Sequence, residues 1–144
     1  MSILEKKSSK DHISALRVES LTDTKKLGFV VISGNVPSKS NCYKIITLNG
    51  HGSLAKTKAL KDYEHSFFWQ CSTYRNANIN TPFEFYINVY YPSKRSDLDN
   101  SLKCVLDCLQ KVKAISNDNL CCKIIAQKFI DKVNPRVEFK IIPA

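Results

Sequence analysis

Two consecutive segments decide the fold: PFEFYINVYYP at residues 82–92 and DLDNSLKCVLDCLQKVKAI at residues 97–115. In the first segment, apolar residues alternate with polar or aromatic ones, which is the period of a half-exposed β-strand. In the second segment, apolar residues recur at spacings of three and four, which predicts an amphipathic helix. An aspartate at the start of this helix suits free N–H groups and the positive end of its dipole. The pair predicts a strand that leads directly into a helix.

Upstream of this pair, the segments alternate between strand, turn and helix patterns. LGFVVISG at residues 27–34 is typical of a buried strand, and NVPSKSN at 35–41 is rich in turn formers. CYKIITLNG at 42–50 predicts a second strand, which ends in a turn at NGHG, residues 49–52, because Asn and Gly accept positive φ. The spacing of apolar residues predicts a helix from Thr57 to Thr73, whose aromatic stripe should pack on a sheet.

The upstream turn contains His51. A single histidine in a loop is more often a solvated residue than a ligand or a base. We therefore assign it no chemistry.

Downstream of the helix, two apolar runs predict closing strands. LCCKIIAQKFI at 120–130 and PRVEFKII at 135–142 are separated by turn residues, which indicates a hairpin through residues 131–135. The whole pattern predicts an α/β protein of the α+β kind, with a small mixed sheet of about four to five strands packed by two main helices. We expect one domain at residues 27–144, preceded by a polar, mobile extension at residues 1–26.

The charge balance favours a polyanionic partner. Among 144 residues, 22 Lys and Arg stand against 13 Asp and Glu, which leaves a formal charge of +9. Nucleic acid fits this charge, but an excess of lysine also serves solubility alone. The sequence contains no apolar run long enough to span a bilayer, and its opening lacks the apolar core of a secretory signal. We therefore expect no membrane partner and a cytoplasmic location.

The six cysteines do not form a spaced disulfide framework, because Cys121 and Cys122 are adjacent. Reduced thiols suit a cytoplasmic protein. A zinc site could pair Cys104 and Cys108 with the adjacent pair, but small buried side chains are the more common role for such cysteines.

Three aspartates form the candidate catalytic group. Asp97 and Asp99 lie two residues apart at the strand-to-helix junction, directly after a basic stretch, and Asp118 follows the helix after a short connection. If the fold brings them together, their mutual repulsion requires a cation, and hard oxygen ligands favour Mg²⁺ or Mn²⁺. The alternative is structural, since aspartates commonly cap helices.

Two further residues of the helix could assist. Lys103 lies about one turn after Asp99, near enough to meet a scissile phosphate. Asn100 could orient a carboxylate by hydrogen bonding to it without contacting the metal ion. Asp107 lies roughly 12 Å along the helix from Asp99, too far to bind the same ion directly.

The segment after β-strand-like residues 82–92 carries a family resemblance. It reads SDLDNSLKCVLDCL, followed by NDN, and resembles the signature of the RusA-like Holliday-junction resolvases. That signature is D-x-D-N, a lysine three residues later, an acidic residue four beyond it and a final aspartate. GNVPSKSN resembles the family's early loop, and SLAKTKALKDYE resembles its strand-to-helix passage. The resemblance covers roughly residues 28–142. Relatives often have two adjacent aspartates at the final site, where this chain has Asn117 and Asp118, and their early loop usually reads PPS where this chain reads VPS.

The resemblance implies a dimeric crossover junction endodeoxyribonuclease of DNA recombination and repair, which cleaves four-way junctions with a divalent metal. Asp97, Asp99 and Asp118 then correspond to the catalytic metal ligands, and Lys103 to the catalytic lysine. Genes of this type are often phage or prophage cargo. A two-fold dimer would present one site to each of two symmetric strands.

Four basic residues are candidates for gripping the DNA backbone, where positive charge supplies affinity but little sequence information: Lys39, Lys44, Lys94 and Arg95. Two other functions stay open: a DNA-binding module of the same fold without nuclease activity, and a structural protein whose aspartates only cap the helix.

Overall fold

The computed structural model describes residues 28–144, and the predicted extension at residues 1–26 lies outside them. The described residues form six strands and two α-helices: β1 (Val30–Ser33), β2 (Tyr43–Leu48), β3 (His51–Lys56), α1 (Lys58–Gln70), β4 (Phe83–Tyr91), α2 (Leu98–Lys111), β5 (Cys121–Ile130) and β6 (Arg136–Pro143). Short 3-10 turns cover Lys39–Asn41 and Asp118–Leu120. The predicted α+β class, with one small domain and a mixed sheet, is confirmed.

The main sheet has four strands in the order β1-β6-β4-β5. β4 pairs antiparallel with β6 and parallel with β5, so the prediction that the last two strands form a hairpin is wrong. After β5 the chain turns across the end of β4, where the N–H of Asp131 donates to the carbonyl of Tyr91 at 2.7 Å. β4 takes the central place because all of its residues are buried or half-buried, whereas β5 is mostly exposed and suits an edge.

β2 and β3 form a separate two-stranded sheet outside the main one. The turn between them uses Asn49 and Gly50, both at positive φ (51° and 79°), as the sequence predicted. His51 begins β3 instead of lying in the turn, and its side chain is exposed. The apolar pattern did not predict β3, because HGSLAK lacks the alternation of a half-buried strand. The strand-to-helix passage implied by the family resemblance of SLAKTKALKDYE agrees with its second half.

The helices pack on one face of the main sheet through aromatic and aliphatic side chains. Thr57 caps α1 by accepting from the N–H of Leu60 at 3.2 Å, and α1 ends at Gln70, three residues before the predicted end. Phe67 stacks on Phe139 of β6 with 5.9 Å between ring centroids. Phe68 does not pack on the sheet as predicted, since it lies exposed on the outer side of the helix.

The six cysteines, all within residues 28–144, form no disulfide with one another, and four of them are buried as predicted: Cys42, Cys71, Cys104 and Cys108. Cys121 and Cys122 lie at the start of β5, half-buried and exposed respectively. No helix among residues 28–144 is both long enough and apolar enough to cross a bilayer.

The connection from β4 through α2 to β5 positions the candidate site. Because β4 and β5 run parallel, Cys121 pairs with Phe83, and Ile130 pairs with Tyr91. The chain must therefore return along α2 from the end of β4 to its beginning. Residues just before α2 and residues just after it consequently lie at opposite ends of the helix.

Candidate active site

The end of β4 fixes the backbone that precedes α2. The buried hydroxyl of Tyr91 donates to the carbonyl of Asp97 at 3.2 Å and shares a hydrogen bond with the hydroxyl of Ser101, which is also buried. Burial raises the pKa of Tyr91, and the nearby carboxylates of Asp97 and Asp99 raise it further. Both carboxylates therefore lie within electrostatic reach of one phenol. The pattern of alternating residues in β4 did not predict this role for Tyr91.

Lys128 of β5 holds the same loop from the other side. Its ammonium group donates to the carbonyl of Lys94 at 3.1 Å and to the carbonyl of Ser96. Asp97 is the N-cap residue of α2, but its side chain makes no capping hydrogen bond, contrary to the expectation that an aspartate would satisfy the helix start. The carboxylate is exposed and free to bind a ligand.

Asp99 and Asn100 open a groove of about 780 Å³ between α2 and the segments opposite it. We call this the central groove. The α2 wall consists of Asp99, Asn100, Lys103, Asp107, Gln110 and Lys111, with Cys104 and Cys108 behind them, and the facing wall includes Lys39, Tyr43, Lys56 and Glu64. The helix therefore presents carboxylate, amide and ammonium groups in sequence along one open surface.

Lys103, which lines the central groove, joins two carboxylates. Its ammonium group lies 3.0 Å from an Asp107 oxygen and 2.8 Å from an Asp118 oxygen. The hydrogen bonds that Lys103 donates to Asp118 and then to Asp107 raise its pKa, so it stays charged across the physiological range. The N–H of Asp118 also donates to the Gln110 side chain at 3.1 Å.

Asn117, where relatives often carry an aspartate, has a conformational role. Its side chain accepts from the N–H of Asn119 at 3.0 Å and caps the 3-10 turn that contains Asp118.

One chain does not gather the three predicted ligands into a single metal site. β5 pairs beside β4, as the return of Asp118 required, but the parallel direction places Asp118 with Asp107 and Gln110 toward the far end of α2. Asp107 is roughly 12 Å along the helix from Asp99. Within residues 28–144, no three side chains of the His, Cys, Asp and Glu types lie close enough to hold one metal ion, and this includes the cysteines of the zinc alternative.

The predicted DNA-binding residues divide into two groups. Lys39 and Arg95 line a second pocket together with Asp97 and Asn100, and Lys39 also borders the central groove. Lys94 lies exposed in the same loop as Arg95, and Lys44 is exposed on β2, outside the linings of both pockets. Of the four predicted residues, Lys39 and Arg95 are therefore the two that share a pocket with Asp97.

Glu64 of α1 ties together the far wall of the central groove. One carboxylate oxygen accepts from Lys56 of β3 and from Lys111 of α2, each at 2.9 Å, and the side chain is only 12% exposed. Burial opposes its ionisation, but the hydrogen bonds from Lys111 and Lys56 outweigh burial and lower the pKa of Glu64. The sequence did not predict these two ion pairs, because an isolated glutamate on a helix is usually solvated.

The lowered pKa of Glu64 predicts a stability difference that depends on pH. Glu64→Gln is expected to reduce the free energy of unfolding by about 1–3 kcal/mol at pH 7, because two charge-assisted hydrogen bonds weaken. The contribution of Glu64 is present above the carboxyl's ordinary pKa and is lost as the pH falls through the lowered value. Urea unfolding of wild type and variant from pH 7 to pH 3 measures this difference.

The matched control is Asp62→Asn, since Asp62 lies on the same helix in an exposed pair with Lys58 at 3.0 Å. It should change stability by less than about 1 kcal/mol. A Glu64→Gln deficit that is equally large at pH 3 and pH 7 would refute the electrostatic explanation.

The comparisons with known proteins give one family. The model of the family described as endodeoxyribonuclease RusA matches residues 37–142, which include both helices and every candidate site residue. No curated protein matches the chain. Endodeoxyribonucleases hydrolyse phosphodiester bonds within DNA strands, and the resemblance found in the D-x-D-N segment is confirmed. The chain belongs to the RusA endodeoxyribonuclease family.

Proposed function

We propose that this protein is a Mg²⁺-dependent endodeoxyribonuclease that resolves four-way DNA junctions by paired nicks in recombination and repair. The proposal depends on the residues at the start of α2, in a chain that belongs to this family. There, the Asp97 carboxylate is not used for capping, Asp99 lies beside it, and Lys103 follows one turn later. This arrangement does not support a purely structural role for Asp97, because a structural aspartate would cap the helix.

We propose Asp97, Asp99 and Asp118 as the residues that hold the cation, assisted by Asn100. Their oxygen ligands suit Mg²⁺ or Mn²⁺. The bound ion would neutralise phosphate charge and activate a water molecule. The water oxygen would attack phosphorus as one P–O bond breaks, the water would lose a proton to solvent, and the leaving oxygen would gain one. The strand would then end in a phosphate and a hydroxyl.

The separation of these carboxylates along α2 leads us to propose a two-fold dimer. A two-fold axis across the middle of α2 sets two copies of the helix antiparallel. Asp97 and Asp99 of one subunit then approach Asp118 of the partner subunit, and the operation creates two equal sites. Two sites related by symmetry suit two symmetric nicks.

Charge and surface composition support this pairing. The acidic start of one α2 would face the basic end of the other, where Lys111 and Lys113 lie exposed. Beside the central groove, one face of the β2-β3 sheet exposes Tyr43, Ile45 and Leu54, and the last two lie opposite each other in the register. Ile45 is 78% exposed and Leu54 is 72% exposed. Apolar side chains exposed side by side are typical of an interaction surface.

Lys103 would stabilise the charge that develops on the phosphate. Its ammonium group lies in the central groove and pairs with Asp107 and with the proposed metal ligand Asp118, so a phosphate bound at that metal would lie near it. Lys39 and Arg95 beside Asp97, together with Lys44 and Lys94, would bind the DNA backbone around the junction.

The test is a cleavage assay on a four-way junction, with and without Mg²⁺ or Mn²⁺, with binding measured in parallel by fluorescence anisotropy. Lys103→Ala is expected to lower the nicking rate about 100- to 1,000-fold, as the loss of one transition-state donor does elsewhere, while binding changes little. The matched control is Lys58→Ala, because Lys58 forms the same i,i+4 pair with an aspartate at 3.0 Å but lines none of the pockets around α2.

The alternative function is a DNA-binding module of the same fold without nuclease activity. Binding of junctions with no metal-dependent nicks from wild type would establish it in place of the enzyme.

A further inference from the structure

The single tryptophan of the chain is exposed. Trp69 lies on the outer side of α1 and is 63% exposed, and its neighbour Phe68 is 38% exposed. Phe67, by contrast, is fully buried against the sheet. Large aromatic rings usually contribute most of their area to a core or an interface. Two adjacent exposed rings on one helix therefore indicate a binding surface.

The two rings of this aromatic pair are held by neighbouring side chains. The Arg75 guanidinium lies 4.7 Å from the centre of the Phe68 ring and 5.8 Å from that of Trp69, and it donates to the carbonyl of Phe68 at 2.9 Å. The indole N–H of Trp69 donates to the ring of His65 at 3.2 Å. The side chains are thus held in place by contacts with one another, which reduces the entropic cost of binding a flat ligand.

The surroundings of the pair are basic. A pocket of about 470 Å³ beside Phe68 is lined by Lys56, Lys61, His65 and Lys111, and its one acidic lining residue, Glu64, is ion-paired to two of these lysines. The pocket shares Lys56, Glu64 and Lys111 with the central groove. Because Glu64, the acidic side chain that the two pockets share, is ion-paired, a polyanion in the central groove could continue from there to the aromatic pair.

We propose that Phe68, Trp69 and Arg75 form a stacking platform for an unpaired DNA base. The proposal rests on the DNA binding proposed above and adds a second contact to it. Exposed aromatic faces beside cations stack on bases of any sequence, because every base has a π-face. From Lys103 to Lys111, α2 spans roughly 12 Å, about three to four nucleotides of one strand at 3.4 Å each. A base displaced near a branch point bound at Lys103 would then be within reach of the platform.

The experiment uses Trp69 itself as the reporter. Full-length protein without divalent metal is titrated with a four-way junction, a single strand and a blunt duplex of the same sequence, while Trp fluorescence and the anisotropy of labelled DNA are followed together. We expect quenching by the junction and the single strand, with a weaker effect from the duplex. Trp69→Leu and Arg75→Gln should each weaken binding to the first two about tenfold. Val133→Ala, at a position that is 95% exposed in the loop after β5, is the control and should bind normally.

Two outcomes would overturn the platform. The first is DNA binding by anisotropy with no change in Trp fluorescence and normal affinity in Trp69→Leu. The second is dissociation of the dimer by Trp69→Leu in sedimentation velocity, which would assign the surface to subunit contact. Neither depends on cutting, so a protein that quenches but does not nick retains the platform and loses only the nuclease proposal. Circular dichroism of each variant checks that it is folded.

Discussion

An equal mixture of the Asp97→Asn and Asp118→Asn variants is expected to nick four-way junctions, although neither variant does so alone. Each single substitution removes a proposed metal ligand from both sites of the dimer and should lower nicking more than about 100-fold. Even the mutation of a residue that only hydrogen-bonds a metal ligand lowers metal affinity or activity about 10- to 100-fold. In a mixed dimer, both substitutions fall in one site and the other site is intact. Random exchange makes about half of the dimers mixed, so about a quarter of the sites are active.

The control mixture combines Asp97→Asn with Asp99→Asn. Both residues lie at the same end of α2, so every site in this mixture lacks one ligand and no activity should return. Mn²⁺ binding, followed by electron paramagnetic resonance, gives a readout independent of cutting and should recover only in the first mixture. If wild type cuts but neither mixture recovers, although native mass spectrometry detects mixed dimers, then the site lies within one chain.

Arg136→Met is expected to destabilise the protein by about 3 kcal/mol, because it removes one charged partner of a buried carboxylate. Arg136 is 5% exposed and Glu138 is 1% exposed, and they are 3.3 Å apart on the sheet face opposite the helices. The same guanidinium lies 3.0 Å from Asp131 and 3.7 Å above the ring of Tyr90. Thermal unfolding by circular dichroism should show the midpoint fall by roughly 10 °C.

The double variant Arg136→Met/Glu138→Leu separates charge from packing. Replacing both members of a buried pair by apolar residues is often nearly neutral, so the double variant should be clearly more stable than Arg136→Met alone. Equal stability of the two variants would show that the loss comes from packing against Tyr90 and not from the lost ion pair with Glu138.

The sequence predicted the centre of the fold because local pattern and tertiary role agree there. β4 alternates as a strand with one face in the core, and α2 carries an apolar stripe that faces the sheet. The same patterns gave α1 and β1, with errors of a few residues at the ends. Periodicity records which face of an element is buried, and for these elements that information is sufficient.

The partner of each strand was not predictable in the same way. In the sequence, the apolar segments before Asp131 and after Pro135 fit a hairpin as well as they fit two separated strands. Only the placement of β4 between them excludes the hairpin. Likewise, Phe67 and Phe68 are identical in sequence terms, but the helix directs one into the core and the other outward. These features depend on tertiary contacts that a local window does not contain.

For the candidate site, the sequence located the start of α2 and the helix face of Lys103. It did not predict that Tyr91, Ser101 and Lys128 fix the backbone around Asp97, because these contacts join β4, α2 and β5. It also left the direction of the β4-β5 pairing open, and that direction determines where Asp118 lies relative to the other two aspartates.

The parallel pairing of β4 and β5 has a consequence for how cutting activity depends on the amount of protein. If a complete centre needs two chains, newly made protein at low abundance is inert, and cutting rises with the square of chain concentration until association saturates. A cell would then tolerate leaky expression of a DNA-cutting protein, and a threshold amount would have to accumulate before any chromosome is at risk.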